Sequence, residues 1–244
     1  MIALYKKEIS VFFSTVIGPI IIGLFLLVNG LFLWSDISQF NILENAYASM
    51  NPFFTISPLL FLLFIPAISM RTFSEEYNTG NIETLITKPI AAYQIVTSKF
   101  LAILTLITAA IIPTLLYVIS IYYLGENKGN LDLAGITGSY IGLFMLASVF
   151  TSIGVFSSSI SNNQITAFIL AIIISSGFYF GFGLLSKIQM LAPSDFILQK
   201  IGISYHYNIM SKGLLLASDI IYFISISFLF LKFSELVVSN KNCK

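Results

Sequence analysis

The sequence contains little charge and almost no cysteine. Only 9% of its 244 residues are charged, whereas a soluble domain carries about 25%, so a soluble globular protein is excluded. The single cysteine, Cys243, excludes an intramolecular disulfide and a cysteine-bound metal cluster. The net charge of +1 comes without a basic tract or a nucleic-acid-binding motif, which excludes a nucleic-acid partner.

Motifs that carry enzymatic chemistry are also missing. The sequence has no H-E-x-x-H, no G-x-S-x-G and no paired aspartates within an apolar run. It has no G-x-x-x-x-G-K-[ST], so it cannot bind ATP through a P-loop, and any ATPase must be another chain. The one histidine, His206, lies in the tyrosine-rich SYHYN, a setting more typical of an interfacial residue than of a metal ligand.

The sequence does contain a series of long apolar runs. A membrane-spanning helix needs about 20 mostly apolar residues. Continuous runs of this length, unlike the short alternating strands of a membrane barrel, predict an all-α integral membrane protein with a single domain over residues 1–244. Six transmembrane helices are expected, at about 11–34, 53–70, 98–124, 133–158, 163–186 and 214–236. The first run is too long for a signal peptide and no A-x-A site follows it, so it is expected to be an uncleaved anchor.

The positions of the positive residues predict the orientation. Loops on the cytoplasmic side of a membrane are enriched in lysine and arginine. With both termini in the cytoplasm, the four positive residues on the outer side are Lys128, Lys187, Lys200 and Lys212. The cytoplasmic side then holds the other eight: Lys6, Lys7, Arg71, Lys88, Lys99, Lys232, Lys241 and Lys244. We therefore expect a multi-pass membrane protein with both termini in the cytoplasm.

The predicted spans contain almost no ionisable residue. The nearest is Asp219, at the outer end of the last span. Because ionisable residues within spans usually mark ion pathways or proton relays, this argues against a proton-driven pump or an ion channel. Gly138 and Gly142, like Gly177 and Gly181, have the spacing that lets helices approach closely. Packing within the chain is favoured for these pairs over a subunit interface.

Charge gathers instead in one internal stretch, MRTFSEEYNTGNIETLITKPI, at residues 70–90. Thr72 and Glu75 have capping-box spacing, which predicts a short helix over 73–79. Gly80 suits the C-terminal end of that helix.

A second short helix is predicted just after Gly80. Ile82, Leu85 and Ile86 share one face of it, and Pro89 suits the first turn of the helix that follows. Because a two-turn helix is unstable alone, it must pack against the membrane, this chain or a partner. A solvated loop whose acids keep it out of the bilayer is the alternative.

The charges of this stretch divide by role. Glu75 has a local explanation as a helix cap, and Arg71 suits the membrane interface. Glu76 and Glu83 have no evident structural partner, so they are the best candidates for contact with another protein.

The N-terminus has a similar character. In LYKKEISVFFSTVIGPI, the charges of Lys6, Lys7 and Glu8 precede two phenylalanines. This pattern predicts a short interfacial amphipathic helix, then a bend at Gly18–Pro19, then the first span.

Two stretches carry a family resemblance. MRTFSEEYNTGNIETLITKPIAAYQIVTSKF resembles the signature loop of ABC-2 type transporter permeases, with matching positions at Arg71, Glu75, Glu76, Gly80, Glu83, Leu85, Pro89 and Lys99. ISYHYNIMSKGLLLASDIIYFISISFLFL resembles the last outer segment of that family, with matches at Ser204, His206, Gly213, Asp219 and Tyr222. The first of these stretches departs from the family at Tyr77 and Asn78, where many members carry basic residues.

Three other stretches resemble a narrower group. GLFLLVNGLFLWSDISQFNILENAYASMNPFF, PAISMRTFSEE and GNLDLAGITGSYIGLF are together similar to the permease subunit of the gliding-motility ABC transporter of Bacteroidetes. The resemblance covers nearly the whole chain.

The resemblance implies a fold and a partner set. The family has six helices, an N-terminal interfacial helix, a cytoplasmic coupling helix between helices two and three, and outer re-entrant helices between helices five and six. Residues 71–97 would form the coupling loop. A second permease copy or a homologous membrane subunit would pair with the chain in the lipid bilayer of the bacterial inner membrane, and a separate ABC ATPase would bind the ATP and magnesium.

The resemblance also implies a non-catalytic permease that couples ATP hydrolysis to export or to a cell-envelope machine such as gliding motility. Export of a lipid-linked glycan, an antibiotic or a bacteriocin, or support of metalloenzyme maturation, are alternatives within the family. A membrane scaffold of a motility or secretion apparatus is an alternative of another class. An intramembrane enzyme is a third class, but no residues support it.

Overall fold

The computed structural model describes residues 1–35, 40–42, 49–80, 90–125, 131–186 and 195–242. All regular structure in these ranges is helical, which confirms the predicted all-α class. The first half of the described chain contains α1 (Ile2–Ser14), α2 (Ile17–Trp34), α3 (Asn51–Ser69), α4 (Arg71–Asn78), α5 (Ala92–Ile111) and α6 (Leu115–Leu124). The second half contains α7 (Leu133–Ile160), α8 (Gln164–Ser176), α9 (Phe182–Leu185), α10 (Asp195–Ile201), α11 (Ile203–Met210) and α12 (Ala217–Asn242).

Five helical segments among the described residues are long and apolar enough to cross a membrane. They are Asn51–Asn78, Ala92–Leu124, Leu133–Ile160, Gln164–Leu185 and Ala217–Lys241. The second of them passes through a 3-10 turn at Ile112–Thr114, and the fourth through a π-helical turn at Gly177–Gly181. The count becomes six if the bent pair of α1 and α2 is taken as one span.

The bend between α1 and α2 measures 65° and lies earlier than the predicted Gly18–Pro19. Ser14 and Thr15 end α1 by donating their hydroxyls to the carbonyl of Val11, at 3.3 and 2.8 Å. Pro19 then sits in the first turn of α2, where its missing N–H removes no helical hydrogen bond. The proline therefore helps to begin a helix here, and it does not bend one.

The helix predicted over 73–79 is present, but it begins without the predicted capping box. Because α4 follows α3 directly, few N–H groups are free, and the Thr72 hydroxyl donates to the Ser69 carbonyl at 2.6 Å. Ser158 of α7 supports this junction, since its hydroxyl accepts from the N–H groups of Phe73 and Ser74 at 3.0 and 3.2 Å. Gly80 follows α4 with a φ of 71°, a left-handed conformation that glycine adopts without strain.

The second predicted short helix lies outside the described residues. Residues 81–89 are not among those that the structure describes, and they include Glu83, Leu85 and Pro89. Cys243 also lies outside the described residues. Two short helices, α10 and α11, do precede the last long helix, at the position where the resemblance implies re-entrant helices.

The long helix α7 lies at the centre of the molecule. It contacts α3, α4, α5, α8, α11 and α12, and its serines at 152, 157, 158 and 159 are fully buried. Small side chains of this kind let neighbouring helices approach closely in a membrane protein. By contrast, α8 and α12 bury little of their apolar surface, as expected of helices that face lipid or another subunit.

Glycines explain how closely α11 packs against α7. A Cβ atom on Gly138 would lie 2.9 Å from both the Gly213 Cα and the Met210 carbonyl oxygen. One on Gly142 would lie 3.0 Å from the Met210 Cβ. The prediction of packing within the chain is therefore confirmed for this pair. It is wrong for the glycines at 177 and 181, because a Cβ atom there would have no described neighbour within 4 Å.

Replacing Gly138 by alanine is expected to lower the free energy of unfolding by about 1–3 kcal/mol, because the backbone atoms of Met210 and Gly213 cannot move aside easily. Gly23→Ala is the matched control, since Gly23 also lies within a helix but has nothing within 4 Å of the new Cβ. Unfolding of the purified protein in mixed SDS micelles, followed by circular dichroism, measures both. Equal stability of the two variants would contradict the close packing of α7 and α11.

Candidate functional site

Three charged side chains from three helices meet at one end of the bundle. We call Glu8 of α1, Glu76 of α4 and Lys99 of α5 the buried ion cluster. The Lys99 Nζ lies 2.9 Å from the Glu76 Oε1 and 3.4 Å from the Glu8 Oε1. The cluster joins elements that are far apart in sequence, and two of them, α4 and α5, border residues 81–89.

Burial makes this cluster energetically important. The Lys99 side chain is 1% exposed, whereas those of Glu8 and Glu76 are 9% and 14% exposed. The Lys99 ammonium also donates to the Thr72 carbonyl at 2.6 Å and lies 5.0 Å from the centroid of the Phe73 ring. A buried charge is tolerated only when it is paired and hydrogen-bonded in this way.

Lys7 balances the charge of the cluster. Its Nζ lies 3.6 Å from a carboxylate oxygen of both Glu8 and Glu76, and its side chain is half exposed. Two cations therefore face two carboxylates. Lys7 is the partner that solvent screens, so it contributes less than the buried Lys99.

The cluster corrects two predictions. Glu76 does have a structural partner, so the reason for reserving it for contact with another protein was wrong. The predicted scarcity of ionisable residues within the apolar runs also misses a fully buried lysine at the beginning of α5. Sequence reasoning overlooked Glu8, although a signal existed. Leu4, Glu8 and Phe12 follow one another at intervals of four on one face of α1, and an acid on such a face indicates a buried partner.

A cavity of about 210 Å³ lies beside the cluster, between α1, α4 and α5. Of the residues matched to the family loop, Arg71 and Glu75 line it along with Glu76 and Lys99. Arg71 is half-buried and Glu75 is exposed. The described part of the predicted coupling loop thus gathers its charges on one side of α4.

The C-terminal helix is tied to the same end of the molecule. The Lys241 Nζ donates to the carbonyl of Ser159 and to the Asn162 Oδ1, at 3.2 and 3.1 Å. It also lies 3.8 Å from the centroid of the Tyr77 ring on α4, a cation–π distance. The end of α12 therefore contacts both the C-terminus of α7 and the face of α4 that carries Tyr77.

A second polar cluster lies elsewhere, where α11 meets α12. We call His206, Asp219 and Tyr222 the histidine cluster. The His206 Nδ1 lies 2.7 Å from the Asp219 Oδ1, and its Nε2 lies 2.7 Å from the Lys200 carbonyl oxygen. The Tyr222 ring stacks on the imidazole at 3.9 Å between centroids, and its hydroxyl donates to the Ile201 carbonyl. The cluster therefore holds α10, α11 and α12 together.

Both ring nitrogens of His206 face oxygen atoms. A carbonyl oxygen can only accept, so the Nε2 must carry a hydrogen. The Nδ1 and the Asp219 carboxyl then share one further proton, as an imidazolium beside a carboxylate or as a neutral pair. His206, predicted to be an interfacial residue, is buried with both nitrogens in use. No described group of three or more His, Cys, Asp and Glu side chains is arranged to hold a metal ion.

Three neighbours of the histidine cluster have structural positions. Ser204 is half-buried in the first turn of α11 and lies outside the cluster. Gly213 has a φ of 80° and approaches the start of α7 so closely that a Cβ atom would lie 3.1 Å from the Gly135 Cα. Tyr207 donates its hydroxyl to the Phe54 carbonyl at 2.7 Å. Burial, with Tyr179 nearby, raises the pKa of Tyr207 well above its ordinary value, so it stays neutral.

Comparison with known protein families gives a match over most of the chain. The family model of the ABC-2 family transporter proteins matches residues 7–233, and the match includes both the buried ion cluster and the histidine cluster. No curated protein matches the chain. Because the matched region covers most of the 244 residues, the chain belongs to the ABC-2 family of transporter proteins.

Proposed function

We propose that this chain transmits movement from a separate ABC ATPase to its own membrane helices through residues 71–97. ABC-2 family membership makes the chain a membrane permease subunit of an ABC transporter, a transport component that is itself non-catalytic. The proposal adds the site of coupling, the cytoplasmic position of both termini and the assembly with a second permease copy or a homologous subunit. ATP and magnesium are bound by the partner ATPase.

The observation that carries the proposal is the buried ion cluster. It fixes the helix before residues 81–89 and the helix after them to one another and to α1. A force applied at 81–89 therefore reaches three helices at once. An isolated solvated loop between flexible helix ends would transmit little of that force.

Two further contacts extend the path from α4 into the bundle. Ser158 hydrogen-bonds the junction of α3 and α4 to the central α7, and Lys241 links Tyr77 to the end of α12. These contacts supply a route by which rotation of α4 would move α7 and α12. Packed helices transmit such displacement well, because they do not compress easily.

The sharpest test reverses charge at Glu75 and Glu83 while leaving Glu76 in place. Glu75 is exposed and forms no ion pair with a described residue, so its reversal leaves the buried ion cluster intact. The Glu75→Lys/Glu83→Lys chain is expected to lose about 90% of the ATPase that co-purifies with the wild type. The reason is that like charges facing each other across an interface cost about 1.4 kcal/mol or more. Co-purification and ATP turnover of the complex are measured together.

The control places the same change of charge elsewhere. Glu44→Lys/Glu126→Lys alters two acids in the loops expected on the outer side. This variant should keep its ATPase and its turnover. Full retention of a coupled ATPase by Glu75→Lys/Glu83→Lys would refute coupling through this segment.

The narrower role rests on the sequence resemblance. We propose that the transporter serves a cell-envelope machine of the gliding-motility kind. The alternative tasks within the family are export of a lipid-linked glycan, export of an antibiotic or bacteriocin, and support of metalloenzyme maturation. A scaffold of a motility or secretion apparatus is separated from all of these by one measurement. A scaffold would support its machine with an ATPase that cannot hydrolyse ATP, whereas a transporter would not.

A further inference from the structure

We propose that the cavity between α1, α4 and α5 binds the headgroup of a zwitterionic phospholipid that carries a primary ammonium. Its phosphate lies against Arg71 and Lys7, and its ammonium lies against Glu75 and Glu76. The inference does not depend on coupling to an ATPase. It rests on the size, the unpaired charges and the apolar wall of the cavity.

The cavity is large enough for a headgroup. Its volume is about 210 Å³, whereas a single water needs about 10–15 Å³ on the same measure. Exposed residues such as Glu75 and Thr79 at its edge leave it open on one side. A ligand attached to acyl chains can therefore enter without unfolding the site.

The charges of the lining balance overall, but they are not all paired. Its three cations and three anions are Lys7, Arg71, Lys99, Glu8, Glu75 and Glu76. Lys99 is fully used by the buried ion cluster. The Arg71 Nε is buried and has no hydrogen-bond partner among the described residues, and the same holds for the Glu76 Oε2. Among the described residues, Arg71 also lacks a carboxylate within ion-pair distance.

An unpaired guanidinium beside unpaired carboxylate oxygens defines the ligand class. A guanidinium presents a planar set of donors that suits a phosphate. The oxygens of Glu75 and Glu76 suit an ammonium that donates hydrogen bonds. A purely anionic ligand would leave these carboxylates unbalanced, and a purely cationic one would leave the guanidinium unpaired. A phosphate diester joined to a primary amine satisfies both.

The rest of the lining favours an amphiphile over a soluble phosphate ester. Val11, Phe12 and Ile68 form its apolar side. The apolar run of α3 ends at Met70, and Arg71 follows it immediately. This change from apolar to charged sequence is expected at the membrane surface, where lipid headgroups lie. Phosphatidylethanolamine therefore fits each part of the cavity. Its phosphate suits the guanidinium, its ammonium suits the carboxylates and its acyl chains suit the apolar side.

The test measures which lipid the full-length chain retains. The protein is purified from mixed micelles with equal amounts of phosphatidylethanolamine, phosphatidylcholine and phosphatidylglycerol, and retained lipid is counted by native mass spectrometry. The wild type is expected to keep one phosphatidylethanolamine in preference to the others. Arg71→Gln should lower that retention about tenfold, because a charge-assisted hydrogen bond is lost. Glu75→Gln should remove the preference over phosphatidylglycerol while some lipid stays bound.

Controls keep the result interpretable. Lys212→Gln removes an exposed charge that does not line the cavity and should change nothing. Circular dichroism and gel filtration check folding, and Glu75 is exposed, so its variant tests the site even if Arg71→Gln folds poorly. Unchanged lipid retention in both cavity variants would overturn the proposal, as would equal retention of the three lipids by the wild type. Displacement of the lipid by millimolar inorganic phosphate or phosphoethanolamine would assign the site to a soluble phosphate ester and overturn a lipid ligand.

Discussion

Replacing Lys99 by methionine is expected to lower the free energy of unfolding by about 3–5 kcal/mol, the range for removing one partner of a buried ion pair. The substitution keeps the length and much of the apolar stem of the side chain. It removes the only fully buried cation of the cluster and leaves Glu8 and Glu76 facing each other with the half-exposed Lys7 alone. Unfolding in mixed SDS micelles, with the monodisperse fraction after heating, measures the loss.

Two controls separate charge balance from packing. Lys232→Met removes an exposed lysine whose ion pair with Glu235 lies on the surface, and it should cost less than about 1 kcal/mol. In Glu8→Gln/Glu76→Gln/Lys99→Met the carboxylates lose their charge along with the lysine. Most of the lost stability should return, since a buried ionic group can often be replaced as a whole. If the triple variant is as unstable as Lys99→Met, the uncompensated carboxylates are not the cause.

Replacing His206 by phenylalanine should destabilise the protein by a similar amount, about 3–5 kcal/mol. Phenylalanine preserves the stacking on Tyr222, but it offers no N–H to the Lys200 carbonyl and no partner to Asp219. Asp219 is only 2% exposed, and its Oδ2 has no described hydrogen-bond partner. A buried carboxylate without its last partner must either be protonated or break the contact between α11 and α12.

The arrangement of the protons predicts an asymmetry between the two partners. Asp219→Asn should cost only about 1 kcal/mol, because the new amide can donate to the Nδ1 while the Nε2 hydrogen still reaches the Lys200 carbonyl. Unfolding of both single variants under the conditions used for Lys99→Met provides the comparison. Equal costs for His206→Phe and Asp219→Asn would show that the cluster does not depend on this pattern of donors and acceptors.

Both clusters link segments that are distant in the chain, and this gives them a common mechanical meaning. The buried ion cluster joins α1, α4 and α5, whereas the histidine cluster joins α10, α11 and α12. They lie among different helices, and the central α7 contacts elements of both groups. A permease that changes shape around α7 can thus move each group as a unit.

The membrane class and the helical character could be predicted from sequence, since long apolar runs allow little else. The packing role of Gly138 and the position of Gly80 at the end of α4 were also predictable, because glycine leaves a specific local signature. The capping box at Thr72 failed for a local reason, as α3 continues into α4 and leaves few free N–H groups. The bend was predicted at Gly18–Pro19 but lies before Gly18, because proline is also common in the first turn of a helix.

The partners of the charged residues could not be derived in the same way. Nothing near Glu76 in the sequence indicates Lys99 or Glu8, since a side-chain contact between distant helices depends on how those helices are rotated and spaced. The same is true of His206, whose partner on α12 lies 13 residues later. The family resemblance identified Glu76 and Lys99 in one stretch and His206 and Asp219 in another, but it left out Glu8 and did not say which residues touch.

The sequence by itself determined that this chain is a helical membrane protein without the motifs of an ATPase, because hydrophobicity and missing motifs are properties of the chain alone. Only the tertiary structure decided that Glu8, Lys99 and Asp219 are buried and that each has its partner on another helix. In an apolar environment an ionic side chain is stable only beside its counter-charge, and folding brings those counter-charges together from α1, α4 and α5.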